Sequence, residues 1–189
     1  MRNTFLMTAV WSALVCLGLV IVWDYEARPG EHVETSAVRP ESLETYGREF
    51  DFLVFLHPHC PCSMATVREL SHIVAGSHSE KLSVRVLAYQ PTSSNGGWRS
   101  SRLLESARKI PGVSVEMDDD ARVAISLGVR TSGHVILFSK DGNSLYSGGI
   151  TVSRGHEGTN HGRQAVESIL AGAHSDSVKT IPAFGCRIQ

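Results

Sequence analysis

The chain lacks a surplus of charge: 18 Lys and Arg stand against 19 Asp and Glu over 189 residues, a formal net charge of -1. No Lys/Arg cluster is dense enough for a nucleic-acid footprint, so nucleic acid is not an expected partner. Internal repeats and long low-complexity tracts are missing, and the length left after one apolar segment suits a single domain with a real core. Cysteine is scarce, four residues in all. The paired spacing of an established zinc module is absent from them.

What is present begins with one long apolar run. Phe5 to Trp23 holds 19 residues without a formal charge, preceded by Arg2 and followed by Asp24 and Glu26. At about 1.5 Å per residue such a helix spans a bilayer core of roughly 30 Å. Val20-Ile21-Val22-Trp23-Asp24 offers no small-x-small cleavage site, so a retained anchor is expected rather than a cleaved signal peptide. Positive charge before the run and acids after it place residues 1–4 in the cytoplasm and the remainder on the periplasmic or extracytoplasmic side. Cys16 reads as an inert membrane residue. Residues 24–46 contain Pro29, Gly30 and Pro40 with several Glu, Ser and Thr, no apolar periodicity, and the composition of a flexible tether.

The chemistry concentrates in Asp51 to Leu70, DFLVFLHPHCPCSMATVREL. Phe52 to Leu56 reads as a strand buried on both faces. Val67, Leu70, Ile73 and Val74 recur at helical spacing, so Cys60 and Cys62 sit where strand becomes helix. The first turn of a helix leaves N–H groups unpaired and carries partial positive charge, both of which favour a thiolate. The expectation is Cys60 at the N-cap with Pro61 at the first helical position, and His57 and His59 adding positive charge when protonated.

The rest of the domain reads as alternating elements. Strands are expected over 82–89, 113–117, 135–138 and 145–150, and helices over 98–109, 121–127 and 161–170. Asp118-Asp119-Asp120 suits helix capping. Lys140-Asp141-Gly142-Asn143 suits a hairpin turn. This order implies a mixed sheet with helices on both faces. The loop SRGHEGTNHG, with Arg154 and Glu157 in position to pair locally, reads as structured surface. His32, His72, His78 and His174 have no companions that suggest chemistry. Residues 173–189 read as an aperiodic tail carrying Cys186. With Cys16 set aside, three cysteines remain, an odd number, so one must be free, paired between chains, metal-bound or a redox partner of the others.

Over residues 47–172 the chain resembles the thioredoxin-like superfamily, through the Cys60/Cys62 turn, the Gly128-Val129-Arg130-Thr131-Ser132 approach to a strand, and the closing hairpin and helix. Two positions depart from that pattern. Pro61 alone separates the cysteines, and Gly133 stands where the family carries a cis-proline. By that resemblance Gly133 and His134 are expected beside Cys60. HPHCPCS, TSGH, GGIT with SRGHEG, and the terminal FGC are similar to the membrane-anchored RedB-type proteins of this superfamily, which implies a redox role.

Cysteines two apart reach one another only near the limits of an unstrained bridge, and strain raises a reduction potential. In the expected mechanism Cys60 forms a mixed disulfide with protein thiols or disulfides and Cys62 resolves it, with Cys186 as a possible third redox residue. The alternatives are copper or zinc binding through Cys60, Cys62, Cys186 and His134, with His57, His59 and His156 as further donors, or a non-catalytic adaptor of the same fold.

Overall fold

The computed structural model describes residues 2–31, 35–40, 43, 47–76, 79–93, 97–173 and 179–189. His32, His78 and His174 lie outside the described residues, as do parts of the expected tether and tail.

An N-terminal helix α1 (Arg2–Ala27) precedes the domain, and its Asn3–Ala27 portion is long and apolar enough to cross a membrane. Its large apolar side chains are exposed all around it. The domain then runs β1 (Phe50–Leu56), α2 (Ser63–Ala75), β2 (Leu82–Gln90), α3 (Arg102–Arg108), β3 (Val113–Asp119), α4 (Arg122–Ser126), β4 (His134–Ser139), β5 (Ser144–Gly149), α5 (His161–Leu170) and β6 (Lys179–Ile181). The six strands form one sheet in the order β3-β2-β1-β4-β5-β6. β1, β2 and β3 are parallel, β4 is antiparallel to β1 and β5, and β6 is parallel to β5.

Residue alternation along β1 divides the core. Phe52, Val54 and Leu56 face α2, α3 and α5, together with Val67, Leu70, Leu104 and Val166. Leu53 and Phe55 face the opposite layer, built from Ala124, Leu127 and Val129 around α4, with Leu43 and Ile188. Both faces of the central strand are therefore dry, as its unbroken apolar run predicts.

Two expectations about the ends of the domain need correction. Where residues 24–46 are described, they lie against the domain and not free of it. Ser36 donates to the Leu127 carbonyl at 3.1 Å, Ser144 donates to the Ala37 carbonyl at 2.8 Å, and Arg39 pairs with buried Asp51. Backbone hydrogen bonds and single inserted side chains such as Leu43 carry this packing, so it leaves no apolar period in the sequence. The tail likewise is not wholly irregular: Lys179–Ile181 adds the sixth strand, and Arg187 bridges to Thr131. Three residues are too short a run to show alternation.

Asp118 does serve the following helix, accepting from the Val123 and Ala124 N–H groups at 2.9 and 3.0 Å. The helix expected over 98–109 divides into a single tight turn at Gly97–Ser100 and α3, whose N-cap Ser101 accepts from the Leu104 N–H. The last helix begins where the sequence places it, with Asn160 accepting from the Arg163 N–H at 2.8 Å.

Candidate active site: three cysteines at one end of the sheet

β1 ends where β4 begins and β5 finishes, since Phe55 pairs with His134 and His134 with Gly149. The turn after β1, the loop before β4, the loop after β5 and the C-terminal tail therefore converge. In the turn, the Cys60 N–H donates to the His57 carbonyl at 2.9 Å and the Ser63 N–H donates to the Cys60 carbonyl at 3.2 Å. The helix starts at Ser63. Cys62 occupies the cap position with helical φ -65° and ψ -28°, and its side chain caps nothing. Cys60 and Pro61 thus stand two residues before the positions expected for them. The benefit to Cys60 survives the shift, because the hydroxyl and N–H of Ser63, first residue of α2, both favour its thiolate.

The tail supplies the other donors. Cys186 N–H points at Cys60 Sγ at 3.3 Å, and the Cys186 thiol bonds the same sulfur. The tail is clamped there by three bonds: Ser132 N–H to the Cys186 carbonyl at 2.9 Å, Ile188 N–H to the Arg130 carbonyl at 2.8 Å, and the Arg154 guanidinium to the Gly185 carbonyl at 2.5 Å. A Cβ on Gly185 would lie 1.9 Å from the Ser132 carbonyl oxygen, so only glycine lets the tail approach this closely.

Behind the sulfur stands a buried hydroxyl pair. Ser132 Oγ accepts the His57 N–H at 2.7 Å and lies 2.6 Å from Ser63 Oγ. With the Ser132 proton directed at Ser63, the Ser63 proton is left for Cys60, and the chain of donors runs from backbone to thiolate. Such a chain polarises each bond along it.

Burial opposes the charged form of Cys60, which is 2% exposed. The hydrogen bonds from Ser63 and Cys186 outweigh that cost and hold its thiol below the ordinary value. Cys62 is shifted upward, by burial and then by the neighbouring charge of Cys60, against the pull of Arg154. Cys186 is raised by burial, by the bond it gives Cys60 and by the charges of Cys60 and Cys62, again with Arg154 opposing. One acidic thiol therefore sits between two reluctant ones.

Several expected roles move. His57 stacks on Tyr89 at 5.5 Å and meets Trp98 edge-on at 5.3 Å, while His59 lies 4.4 Å from Trp98. His57 Nδ1 accepts the His59 N–H at 3.2 Å, and burial, followed by the charge of His59, lowers its pKa. The pair forms an aromatic wall with His57 kept neutral. The cation that acts on the thiols is Arg154.

Glu157 pairs with Arg68 at 3.0 Å instead of with Arg154, and Gly155 stands over the Cys62 backbone. The loop is surface, as expected, with residues 155–159 exposed, and it also flanks the site. It is tied down by buried Glu69, which accepts the Gly158 N–H at 2.6 Å and the Arg163 guanidinium at 2.8 Å.

Gly133, at φ +89°, donates its N–H to the Phe55 carbonyl at 2.7 Å and packs against Thr66, where a Cβ would lie 2.7 Å from Oγ1. Ser132, not Gly133, is the residue of this loop that joins the thiol network. His134 is buried on the far side, its Nε2 2.9 Å from Ser147 Oγ, because its position opposite Phe55 turns it toward the α4 layer. His156 bonds locally to Ser153 and the Arg154 carbonyl. Among the described residues no group of three or more His, Cys, Asp or Glu is placed to hold a metal ion. A cleft of about 300 Å³ lined by His59, Cys60, Pro61, Met64 and Arg102 opens beside the turn.

No family model matches the chain and no curated protein matches its sequence. Solved structures do. An uncharacterized conserved protein from Geobacillus kaustophilus aligns at 17% identity over 75% of this chain and 77% of its own, with TM-score 0.58. A hypothetical protein from Sinorhizobium meliloti 1021 aligns at 16% identity over 86% and 92%, with TM-score 0.55. A thioredoxin-like protein from Aeropyrum pernix aligns at 16% identity over 87% and 99%, with TM-score 0.48.

At these identities the likeness concerns the fold alone. The type of fold is decided by topology: a parallel β1-α2-β2 crossover, an antiparallel β4-β5 hairpin closed by α5, and a thiol turn between β1 and α2. The fold is thioredoxin-like. Within it, the Ser63 N–H favours the Cys60 thiolate as the start of a helix implies, whereas the hydroxyls of Ser63 and Ser132 and the charge of Arg154 have site roles that the motifs alone do not announce.

Proposed function

We propose that this protein is a membrane-anchored extracytoplasmic thiol-disulfide oxidoreductase of the RedB type, with Cys60 as its nucleophile. The observation that carries the reading is the buried Cys60 sulfur, which receives the Cys186 N–H at 3.3 Å together with the donors of Ser63. Those donors favour sulfur as an anion. A structural thiol gains nothing from them.

The exchange follows from the geometry. Cys60 thiolate attacks one sulfur of a substrate disulfide, forming a Cys60–substrate disulfide and releasing the other substrate sulfur as a thiolate, which takes up a proton. Cys62 then loses its proton and attacks Cys60 Sγ, closing a Cys60–Cys62 disulfide and releasing the second substrate thiolate. Run backward, the same steps oxidise a substrate dithiol. Cys186 is a second candidate for the resolving role, since its sulfur also bonds Cys60.

The anchor reading is supported by the length of Asn3–Ala27, and its orientation by Arg2 before the uncharged run Phe5 to Trp23 and Asp24 and Glu26 after that run. The copper or zinc alternative keeps three sulfurs but loses His134, which is held at Ser147, and so is the weaker reading.

Full-length protein in detergent, incubated with an oxidised dithiol peptide, tests the proposal. A mixed disulfide should accumulate on Cys60 in the Cys62→Ser, Cys186→Ser double variant and vanish with Cys60→Ser. Exchange that persists in Cys60→Ser, or a wild-type protein that exchanges nothing, overturns it.

A further inference from the structure

The chain leaving α1 does not hang free of the thiol site. The Arg154 N–H donates to the Glu26 carbonyl at 3.2 Å, and the Arg154 guanidinium lies over the Tyr25 ring at 5.2 Å. Gly30 N–H donates to the Ala183 carbonyl at 2.8 Å, Thr131 Oγ1 donates to the Glu31 carbonyl at 2.9 Å, and Arg187 pairs with Glu31 at 3.3 Å.

Each domain partner in these contacts adjoins the thiol network. Arg154 also holds the Gly185 carbonyl beside Cys186, and Thr131 precedes Ser132, which bonds Ser63. The stretch from Tyr25 to Glu31 is thus packed on the same segments that hold the three cysteines.

Resting on the function proposed above, we infer that the thiol site works at the membrane surface, on cysteine pairs that integral membrane proteins present close to the lipid headgroups. Trp23 marks the end of the apolar run, and indole rings favour the interface. Tyr25 and Glu26 stand only about 3 to 5 Å farther along the helix axis, at about 1.5 Å per residue. Arg154, bonded to both, cannot rise far above the headgroups while these contacts last.

A free tether of twenty residues would let the domain sample many heights. A docked one holds the site at a single level, which raises the effective concentration of disulfides at that level and lowers it elsewhere. A disulfide carried high on a soluble protein is disfavoured. One in a short extracytoplasmic loop is within reach.

The test uses the full chain in nanodiscs with single-span peptides that carry a Cys-Cys disulfide, either directly at the end of the span or above a helical spacer of about 18 residues, roughly 27 Å. Maleimide gel shifts read the exchange rate. The low disulfide should react at least about tenfold faster than the raised one. Inserting a similar helical spacer after Trp23 of this protein, about five whole turns, should reverse the preference while leaving Tyr25–Glu31 docked.

Equal rates at both heights in the unmodified chain, or a preference unmoved by the insertion, overturn the inference. A soluble aromatic disulfide reagent, read on Cys60 in every sample, separates the two readings. If it reacts while height has no effect, only the membrane-surface inference falls. If Cys60 does not react at all, both fall.

Discussion

The turn at residues 57–59 and the loop at residues 153–158 flank the same thiols and exchange the roles that their compositions suggest. The histidine-rich turn looks like the source of positive charge, yet His57 is packed on Tyr89 and Trp98 and kept neutral by burial. The glycine-rich loop is surface and looks inert, yet the charge of its Arg154 acts on Cys62 and Cys186. The lesson is that charge near a cysteine in sequence differs from charge near it in space. A guanidinium stays charged at any working pH, whereas a buried imidazole sheds its proton.

The largest effect should come from cutting the loop loose. Glu69, 1% exposed, holds both Gly158 and Arg163. Glu69→Ala leaves the Gly158 N–H without its acceptor and Arg163 with only the more exposed Glu167 at 3.5 Å, and should cost about 2 kcal/mol, the scale for stranding a buried polar group, measured by urea unfolding of the full chain in detergent.

Arg154→Gln should come next. With the cation gone, Cys62 and Cys186 should titrate higher still, and their alkylation at mildly alkaline pH should slow several-fold while the fold persists. His59→Gln, by contrast, should leave the alkylation of both unchanged. If the His59 variant slows them and the Arg154 variant does not, the comparison is reversed.

The smallest effect concerns His57. Its folded pKa lies below the unfolded value of 6.5, so the unfolded chain takes up the proton first. Stability from this group is fully present above about pH 6.5 and is lost as pH falls through that value toward the folded pKa. Unfolding midpoints between neutral pH and pH 5 should show this slope in the wild type and a flatter one in His57→Phe.

Much of the architecture was legible because burial writes a period into sequence. The unbroken run Phe52–Leu56 announced a strand with two dry faces, and Ala165, Val166, Ile169 and Leu170 announced the last helix. The Cys60 turn was legible as chemistry, though its cap position fell elsewhere. What sequence could not show were contacts across the chain. Ser63 and Ser132 are 69 residues apart and Cys60 and Cys186 are 126 apart, each meeting through single atoms. His134 adjoins the thiol loop in sequence yet turns to the α4 layer, because adjacency does not reveal which side of a strand a residue takes. Its register against Phe55 does.

The central claim is that Cys60 is made acidic by donors from Ser63 and from the tail. The most direct measurement is the pH dependence of alkylation at each cysteine, followed by mass spectrometry of the full chain in wild type and in Ser63→Ala. The account predicts that Cys60 titrates below Cys62 and Cys186 in the wild type, and that Ser63→Ala moves it upward and slows its reaction at neutral pH by roughly tenfold, one pK unit. A Cys60 that titrates with or above the other two, or that ignores the loss of the Ser63 hydroxyl, would contradict it.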